Sequence, residues 1–185
     1  AYKKDPSCLD RNGDGTVSYV LLEGESNHQD SLIRTEWSIQ TLKDGNVPLK
    51  KITGGIASWE RSQASAMMEQ WLADYPDQIE LVICNNDDMA LGAIDAIDRA
   101  GILPGTIKLV GIDATPPGME ALKAGKLFGT VAADKEGYAN AIFQIAAALS
   151  RGMDIPEDIK LENGKYYWCR QEAMTQKDIA EIDNK

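Results

Sequence analysis

The order of the apolar segments constrains the fold of this 185-residue chain more than any other feature. Five short runs rich in β-branched residues alternate with longer segments in which apolar residues recur at helical spacing. The runs span residues 17–22, 49–53, 79–84, 107–112 and 127–132. Such alternation is typical of βα units arranged around a parallel sheet. The sequence therefore predicts an α/β fold, a doubly wound parallel sheet with helices on both faces.

The segments between these runs predict four helices. They cover residues 31–42, 60–73, 89–100 and 117–124. A glycine follows three of them, where a left-handed closing residue is favoured. These glycines are Gly45, Gly101 and Gly125.

The chain changes character after residue 134. Residues 138–150 predict a strongly apolar helix, and a loop with Pro156 leads to a strand-like stretch over 159–168 and a short polar helix over 176–182. We therefore divide the chain into a first lobe, residues 1–134, a distinct segment, 135–168, and a return to the first lobe, 169–185.

Composition excludes some partners. A formal net charge of -10 opposes phosphate backbones, so nucleic acid is not expected as a partner. No apolar stretch reaches the roughly 20 residues that span a bilayer, and the N-terminus has no apolar signal core. Cys8, Cys84 and Cys169 have no metal-ligand spacing and are expected to be unpaired, with a Cys8–Cys169 bridge as the alternative.

Residues 10–18 match the first nine positions of an EF-hand calcium loop. Oxygen-bearing side chains alternate along this segment, and Gly15 permits the sharp turn. The glutamate usual at the twelfth position is absent, because Leu21 stands there within a strand, and Glu80 is the candidate replacement from the same edge of the sheet. The predicted Ca²⁺ ligands are Asp10, Asn12, Asp14, Thr16, Ser18 and Glu80. The alternative is an ordinary Asp/Asn/Gly turn.

Polar or aromatic residues follow each predicted strand at its carboxyl end, the edge where open α/β sheets bind ligands. These residues are His28, Asp30, Arg34, Trp59, Asn85, Asn86, Asp87, Asp113 and Asp134. Carboxylate, amide and guanidinium groups satisfy sugar hydroxyls, and an indole ring offers a flat apolar face to the sugar C–H groups. The sequence therefore predicts a carbohydrate site at this edge.

Each of these residues has a plainer alternative role. His28, Asp30, Asn86 and Asp113 are each candidates for a turn or helix cap. Arg34 has Asp30 one helical turn before it, and that pair alone would account for it. Trp59 has a place in the core as its alternative. Six coincident caps or packing contacts at one edge are less expected than one site.

These residues together resemble the periplasmic galactose/glucose-binding protein family, the sugar receptors of bacterial ABC importers and chemotaxis. The resemblance covers the second half of such proteins, the type I C-terminal lobe and the segment that crosses back to the other lobe. It implies that the loop residues and Glu80 hold calcium, and that His28, Asp30, Arg34, Trp59, Asn86 and Asp113 contact the sugar. Ser18 stands where the family has glutamine, and Ala133 where it has asparagine.

The resemblance implies a protein that is not an enzyme and binds a galactose- or glucose-like monosaccharide. It also implies a periplasmic or extracellular location, a lipid anchor in some cases, and ABC permease subunits and a chemoreceptor as partners. A fragment of this kind would expose the apolar face of helix 138–150, or bury it by self-association or local repacking. The alternatives are the effector-binding domain of a lactose-repressor-type transcription regulator and an α/β enzyme.

Overall fold

The structure is a computed structural model that describes residues 2–182. After a short 3-10 helix at Pro6–Cys8, four strands alternate with four helices: β1 (Val17–Glu23), α1 (Gln29–Asp44), β2 (Leu49–Ile56), α2 (Arg61–Asp74), β3 (Leu81–Cys84), α3 (Asp87–Arg99), β4 (Lys108–Val110) and α4 (Pro116–Lys123). The chain continues with β5 (Thr130–Ala133), α5 (Lys135–Ser150), β6 (Gln171–Met174) and α6 (Gln176–Ile182).

The main sheet is parallel and has the strand order β2-β1-β3-β4. The fifth predicted run continues this sheet only in part, because Gly129 forms a single parallel bridge with Val110. Strand β5 pairs instead with β6 in a two-stranded sheet. The predicted doubly wound α/β fold is confirmed, and the helix bounds differ from the predicted ones by at most three residues.

Both faces of the sheet are covered by helices. Side chains of β1 alternate between the two faces, as the pleat of a strand requires. Val20 and Leu22 belong to the larger core, beneath α2, α3 and α4, whereas Tyr19 and Leu21 belong to a smaller core beneath α1. Strand β1 is therefore buried on both sides, which is why its sequence is a continuous apolar run.

The prediction of a strand over residues 159–168 is wrong. This stretch contains a single antiparallel bridge between Glu162 and Tyr166. Asn163 and Gly164 both have positive φ, at 53° and 67°, and they turn the chain back on itself. The strand lies later, at β6, which is four residues long, begins with two polar residues and gave no apolar signal.

Among the described residues, 2–131 and 174–182 form one compact unit, and residues 132–173 form a second. In the second unit, α5 begins at a cap made by the Asp134 carboxylate, which accepts from the Gly137 amide at 2.9 Å. Ala141 and Ala148 are buried, whereas Phe143 is 72% exposed and Ile142 and Leu149 are also exposed. The predicted exposure of apolar side chains on this helix is therefore observed.

Candidate functional site: the carboxyl edge of the sheet

Trp59 lies at the centre of the predicted site, in the turn between β2 and α2. Ser58 and Trp59 both have positive φ, at 49° and 68°, so two residues with side chains adopt the left-handed conformation that glycine favours. Gly24, after β1, makes room for the indole: a Cβ there would lie 2.2 Å from the Trp59 Cζ2 atom. The turn and the glycine together fix where the aromatic face is presented.

Arg34 connects the other predicted residues. Its guanidinium lies 5.7 Å from the centroid of the Trp59 ring, a cation–π distance. Its Nη2 lies 3.4 Å from the Asp30 carboxylate, and its Nη1 lies 3.6 Å from the Asp113 carboxylate. The Nη1 also donates to the Asn85 carbonyl oxygen at 2.8 Å. Arg34 therefore does more than pair with Asp30.

His28 is the N-cap of α1 and also contacts Trp59. Its Nδ1 accepts from the Asp30 amide at 3.2 Å, so the cap is His28 and not Asp30. Its ring meets the Trp59 ring edge-on, with centroids 5.2 Å apart. The capping role and a ligand-facing role use different parts of the side chain, because the Nε2 edge is not engaged by the cap.

Asn86 likewise combines a cap with a contact to the site. Its Oδ1 accepts from the Met89 amide at 2.9 Å and caps α3. Its Nδ2 donates to the Trp59 carbonyl oxygen at 3.4 Å. The structure therefore brings His28, Asp30, Arg34, Trp59, Asn86 and Asp113 together at the carboxyl edge of the sheet, each in contact with another member of the set.

Sequence reasoning missed Asn85 as a supporting residue. Its buried Oδ1 lies within hydrogen-bond distance of the Gly24 amide and of the Ser31 and Thr35 hydroxyls, at 3.1, 3.0 and 3.3 Å. Together with the bond from its carbonyl oxygen to Arg34, these contacts join β3 to the start of α1. The signal was present in the sequence as a second amide beside Asn86, but nothing there distinguished which one faced the ligand edge.

The chemistry of the edge suits a neutral, hydroxyl-rich molecule. It presents an imidazole, a carboxamide, a guanidinium and two carboxylates within one cluster, and hydroxyl groups both donate to and accept from such groups. Asp113 is partly exposed, with 39% of its side chain accessible, and Asp30 is more exposed still. An apolar ring face and charged hydrogen-bonding groups therefore lie side by side at a surface that a ligand can reach.

The predicted calcium loop lies at the opposite edge of the sheet, at the start of β1. The buried Asp10 carboxylate accepts from the Gly13 and Gly15 amides, at 2.8 and 2.9 Å. The amides of Asp14 and Thr16 donate to side-chain oxygens two residues earlier, at 2.9 and 2.8 Å. The side-chain oxygens of Asp10, Asn12 and Asp14 thus accept from amides of their own loop.

Glu80 enters this loop from the start of β3. Its Oε1 accepts from the Arg11 and Asn12 amides, at 2.7 and 3.1 Å, and its Oε2 accepts from the Ser18 amide at 2.8 Å. Several side-chain oxygens here accept a single N–H, which leaves them a second lone pair for a hard cation. Among residues 2–182, however, no three acidic, histidine or cysteine side chains are grouped closely enough to hold a metal ion, so the calcium site stays a prediction.

An apolar groove of about 510 Å³ lies beside α1 and borders the polar cluster at Arg34. Its walls come from Trp37 on α1, from Leu81 and Ile83 on β3, and from Val110 and Phe128. It offers few hydrogen-bonding groups, so it does not suit a sugar. The polar edge around Trp59 is the better candidate for that ligand.

Comparison with known proteins identifies the family. Residues 8–154 match the family described as periplasmic binding protein domain. The chain belongs to this family. It is 32% identical over 162 residues to the D-galactose/methyl-galactoside binding periplasmic protein of Haemophilus influenzae, across 87% of this chain and 48% of that protein. It is also 32% identical over 150 residues to a xylitol-binding protein of Mycolicibacterium smegmatis, across 80% of this chain and 42% of that protein.

Solved structures of periplasmic binding proteins share the fold. An ABC transporter solute binding protein from Bacillus halodurans with bound myo-inositol has a TM-score of 0.78 and 28% identity, covering 95% of this chain and 57% of that one. The chain spans about half the length of the curated relatives it matches. These relatives are named as binding proteins and not as enzymes, which agrees with the prediction that the chain is not an enzyme. Within residues 2–182, none of the helices has the length and apolar character to cross a membrane.

Proposed function

We propose that this chain supplies one wall of the ligand cleft of an extracytoplasmic solute-binding protein that delivers a monosaccharide or a related polyol to an ABC importer. The observation that carries the proposal is the contact of Arg34 with Trp59, Asp30 and Asp113 at one accessible edge. Guanidinium and carboxylate groups can form hydrogen bonds with the sugar hydroxyls, while the indole face packs against the C–H groups of the sugar ring.

The named ligands of the relatives support this class of ligand. They include galactosides, xylitol and ribose, the last from the ribose import binding protein of Salmonella typhimurium. Myo-inositol is bound in the Bacillus halodurans structure. All are neutral and rich in hydroxyl groups. Within this class we propose a galactose- or glucose-like sugar, because the galactoside-binding relative matches 87% of this chain and because the resemblance implied the six residues of the polar cluster as sugar contacts.

The same resemblance supports further proposals about the whole protein. We propose a periplasmic or extracellular location, with a lipid anchor as one form of attachment. Permease membrane subunits and a chemoreceptor would recognise the ligand-closed form. Hinge closure of two lobes is the motion that would produce that form.

Sugar binding is best tested by NMR titration, since one wall of a cleft is expected to bind only at millimolar concentrations. Galactose, glucose, ribose, xylitol and myo-inositol are each titrated to about 100 mM. We expect saturable shifts in the side-chain resonances of Arg34, Trp59 and Asn86 for at least one of them. No shift at these resonances with any of the five would contradict the proposal, and submicromolar binding would show that the site has been misplaced.

Two tryptophan variants make a matched pair for this titration. Trp59→Ala removes the proposed stacking face, and Trp37→Ala removes an exposed indole from α1 in the apolar groove. We expect about a ten-fold loss of affinity in the first and no change in the second. Equal effects of both substitutions would argue against stacking on Trp59.

We further propose that the loop from Asp10 to Ser18, closed by Glu80, holds a structural calcium ion. Support comes from the sequence pattern and from the carboxylates of Asp10, Asp14 and Glu80, each of which accepts a hydrogen bond from an amide of the loop. When bound, the ion would supply charge neutralisation and rigidity at the edge away from the sugar cluster. Asp10, Asn12, Asp14, Glu80 and the Thr16 carbonyl would hold it, and Ser18 would contribute a hydroxyl.

Calorimetric titration of chelator-treated protein tests the calcium proposal. We expect heat of binding and a rise in the unfolding midpoint with added calcium, because a ligand that binds only the folded state stabilises it. Glu80→Gln should weaken both effects, whereas Glu25→Gln, a control at the other edge, should not. The absence of both heat and a midpoint shift in the wild-type chain would refute the proposal.

A further inference from the structure

Asp87 is the first residue of α3, and its side chain is fully buried. It follows Asn86 directly, yet it turns away from the Trp59 side of the site. Its amide donates to the Ile112 carbonyl oxygen at 2.8 Å, just before Asp113. The residue is thus placed beneath the turn that joins β4 to α4.

The Asp87 carboxylate accepts hydrogen bonds from that turn and from β5. Its Oδ2 accepts from the Thr115 amide at 2.9 Å and lies 3.4 Å from the Thr115 hydroxyl. Its Oδ1 accepts from the Thr130 hydroxyl at 2.7 Å. The Thr130 oxygen in turn accepts from the Ala114 amide at 3.2 Å. One carboxylate therefore fixes, directly or through one hydroxyl, two successive amides of the turn.

The turn it holds is in a conformation that residues with side chains rarely adopt. Asp113 has φ of 117° and Ala114 has φ of 47°. Such backbone is retained only where surrounding contacts hold it. The Asp113 amide donates to the Val131 carbonyl oxygen at 2.9 Å, so every amide from Asp113 to Thr115 is engaged. This conformation places the Asp113 carboxylate 3.6 Å from Arg34.

Two glycines lie against this carboxylate, and a side chain at either position would clash with it. A Cβ at Gly111 would lie 2.4 Å from the Asp87 Oδ1, and one at Gly118 would lie 2.3 Å from the Oδ2. Burial raises the pKa of Asp87, while its hydrogen bonds from Thr130 and Thr115 oppose that rise. The position at the N-terminus of α3 also favours the charged form. The pKa of Asp87 remains raised on balance, and the shape of the surroundings, with two glycines against its oxygens, fits the carboxyl group at this depth.

We propose that Asp87 is a positioning residue for the sugar site, whose buried carboxylate holds the Asp113–Thr115 turn in the strained conformation that sets the Asp113 carboxylate against Arg34. The proposal rests on the sugar-binding function proposed above. It assigns to Asp87 an action on the ligand through Asp113 and not through direct contact.

Asp87→Asn is the main test. The asparagine carboxamide keeps the shape of the side chain, and its oxygen can still accept from the Thr115 amide. Its NH₂ group, however, takes the place of the oxygen that accepts from the Thr130 hydroxyl. Asp88→Asn is the control, because Asp88 is the next residue of the same helical turn, carries the same charge and is exposed. In the NMR titration with galactose, ribose and myo-inositol we expect about a ten-fold weaker affinity for Asp87→Asn and less than a two-fold change for Asp88→Asn.

A readout on the ligand-free chain separates positioning from general stability. The three-bond coupling between the amide and α protons of Ala114 reports its φ, and we expect it to change in Asp87→Asn at a temperature where both proteins are fully folded. Thr130→Val should produce the same change, and Thr130→Ser should not, because serine keeps the hydroxyl. This second pair decides the question if Asp87→Asn does not fold.

The outcomes distinguish the two proposals. An unchanged Ala114 coupling and an unchanged affinity in Asp87→Asn or Thr130→Val would overturn the positioning role. A lower unfolding midpoint without either change would show a purely structural role and would also overturn it. If no sugar shifts the wild-type resonances, the proposed function fails, and the ligand-free coupling still decides whether Asp87 holds the turn.

Discussion

Gly24→Ala gives a sharp test of how the structure presents Trp59. The new methyl carbon would lie 2.2 Å from Cζ2 and 2.4 Å from Cε2 and Cη2 of the indole. Carbon atoms in favourable contact are about 3.5–4.0 Å apart, so the ring must retreat by roughly 1.3 Å or more. Gly24 is not one of the glycines with positive φ, so an alanine there would not strain the backbone. The clash with Trp59 is therefore the main cost of the substitution.

The turn that carries Trp59 cannot absorb this movement easily. The Glu60 amide donates to the Ala57 carbonyl oxygen, and the Ala57 amide donates to that of Glu23, both at 2.8 Å. Forcing a methyl into such a packed site costs about 1–3 kcal/mol in the free energy of unfolding. If the indole swings outward instead, stability is kept and the stacking face is lost, which we expect to weaken sugar affinity about ten-fold.

Urea unfolding and the indole N–H resonance of Trp59 measure both effects. Gly129→Ala is the control, because the nearest atom to its added methyl, the Met174 carbonyl oxygen, is 3.4 Å away. We expect a lower urea midpoint or a displaced indole resonance in Gly24→Ala, and neither in the control. An unchanged midpoint together with an unchanged indole resonance would refute the proposed contact between residue 24 and the ring.

Three further predictions concern other parts of the chain. Asn85→Ala leaves the Gly24 amide without its acceptor, and we expect a loss of about 2 kcal/mol in urea unfolding together with a displaced Arg34 side chain. Burial raises the pKa of Asp87 above its ordinary value of 3.8. Its contribution to stability is therefore fully present below pH 3.8 and is lost as the pH rises through the raised pKa. The difference in unfolding free energy between wild type and Asp87→Asn should accordingly fall with rising pH. Phe143→Glu removes a 72% exposed aromatic side chain, and we expect less hydrophobic-dye binding and less self-association by light scattering.

The βα units could be predicted from the sequence, because there the spacing of apolar residues matches the faces that the structure buries. A strand buried on both faces is a continuous apolar run, as in β1, and the helix after it begins within two residues of the predicted position. Strand β6 could not be predicted in this way, because it has only four residues, of which the first three are exposed. The run at 159–168 was misread for the opposite reason, since its apolar residues surround a turn at Asn163 and Gly164.

The membership of the candidate site could also be predicted, because all parallel strands end at the same edge. The structural role of each residue within the site could not be predicted. His28 caps α1 and Asp30 does not, although aspartate is the stronger capping residue in general. Such choices depend on the direction in which each side chain leaves its turn, which the one-dimensional pattern does not contain.

The three residues after β3 show why direction matters most at this edge. Asn85 turns toward α1 and holds Arg34 through its carbonyl oxygen, Asn86 turns toward the Trp59 turn, and Asp87 turns beneath the Asp113 turn. Strand β3 lies between β1 and β4 in the sheet, so one short segment reaches the loops on both sides. Asn85 and Asp87 are buried and fix the positions of the neighbouring loops, whereas Arg34 and Asp113 are accessible. Substitutions at the accessible residues should therefore change which ligand binds with little effect on unfolding, whereas substitutions at Asn85 or Asp87 should lower affinity and stability together.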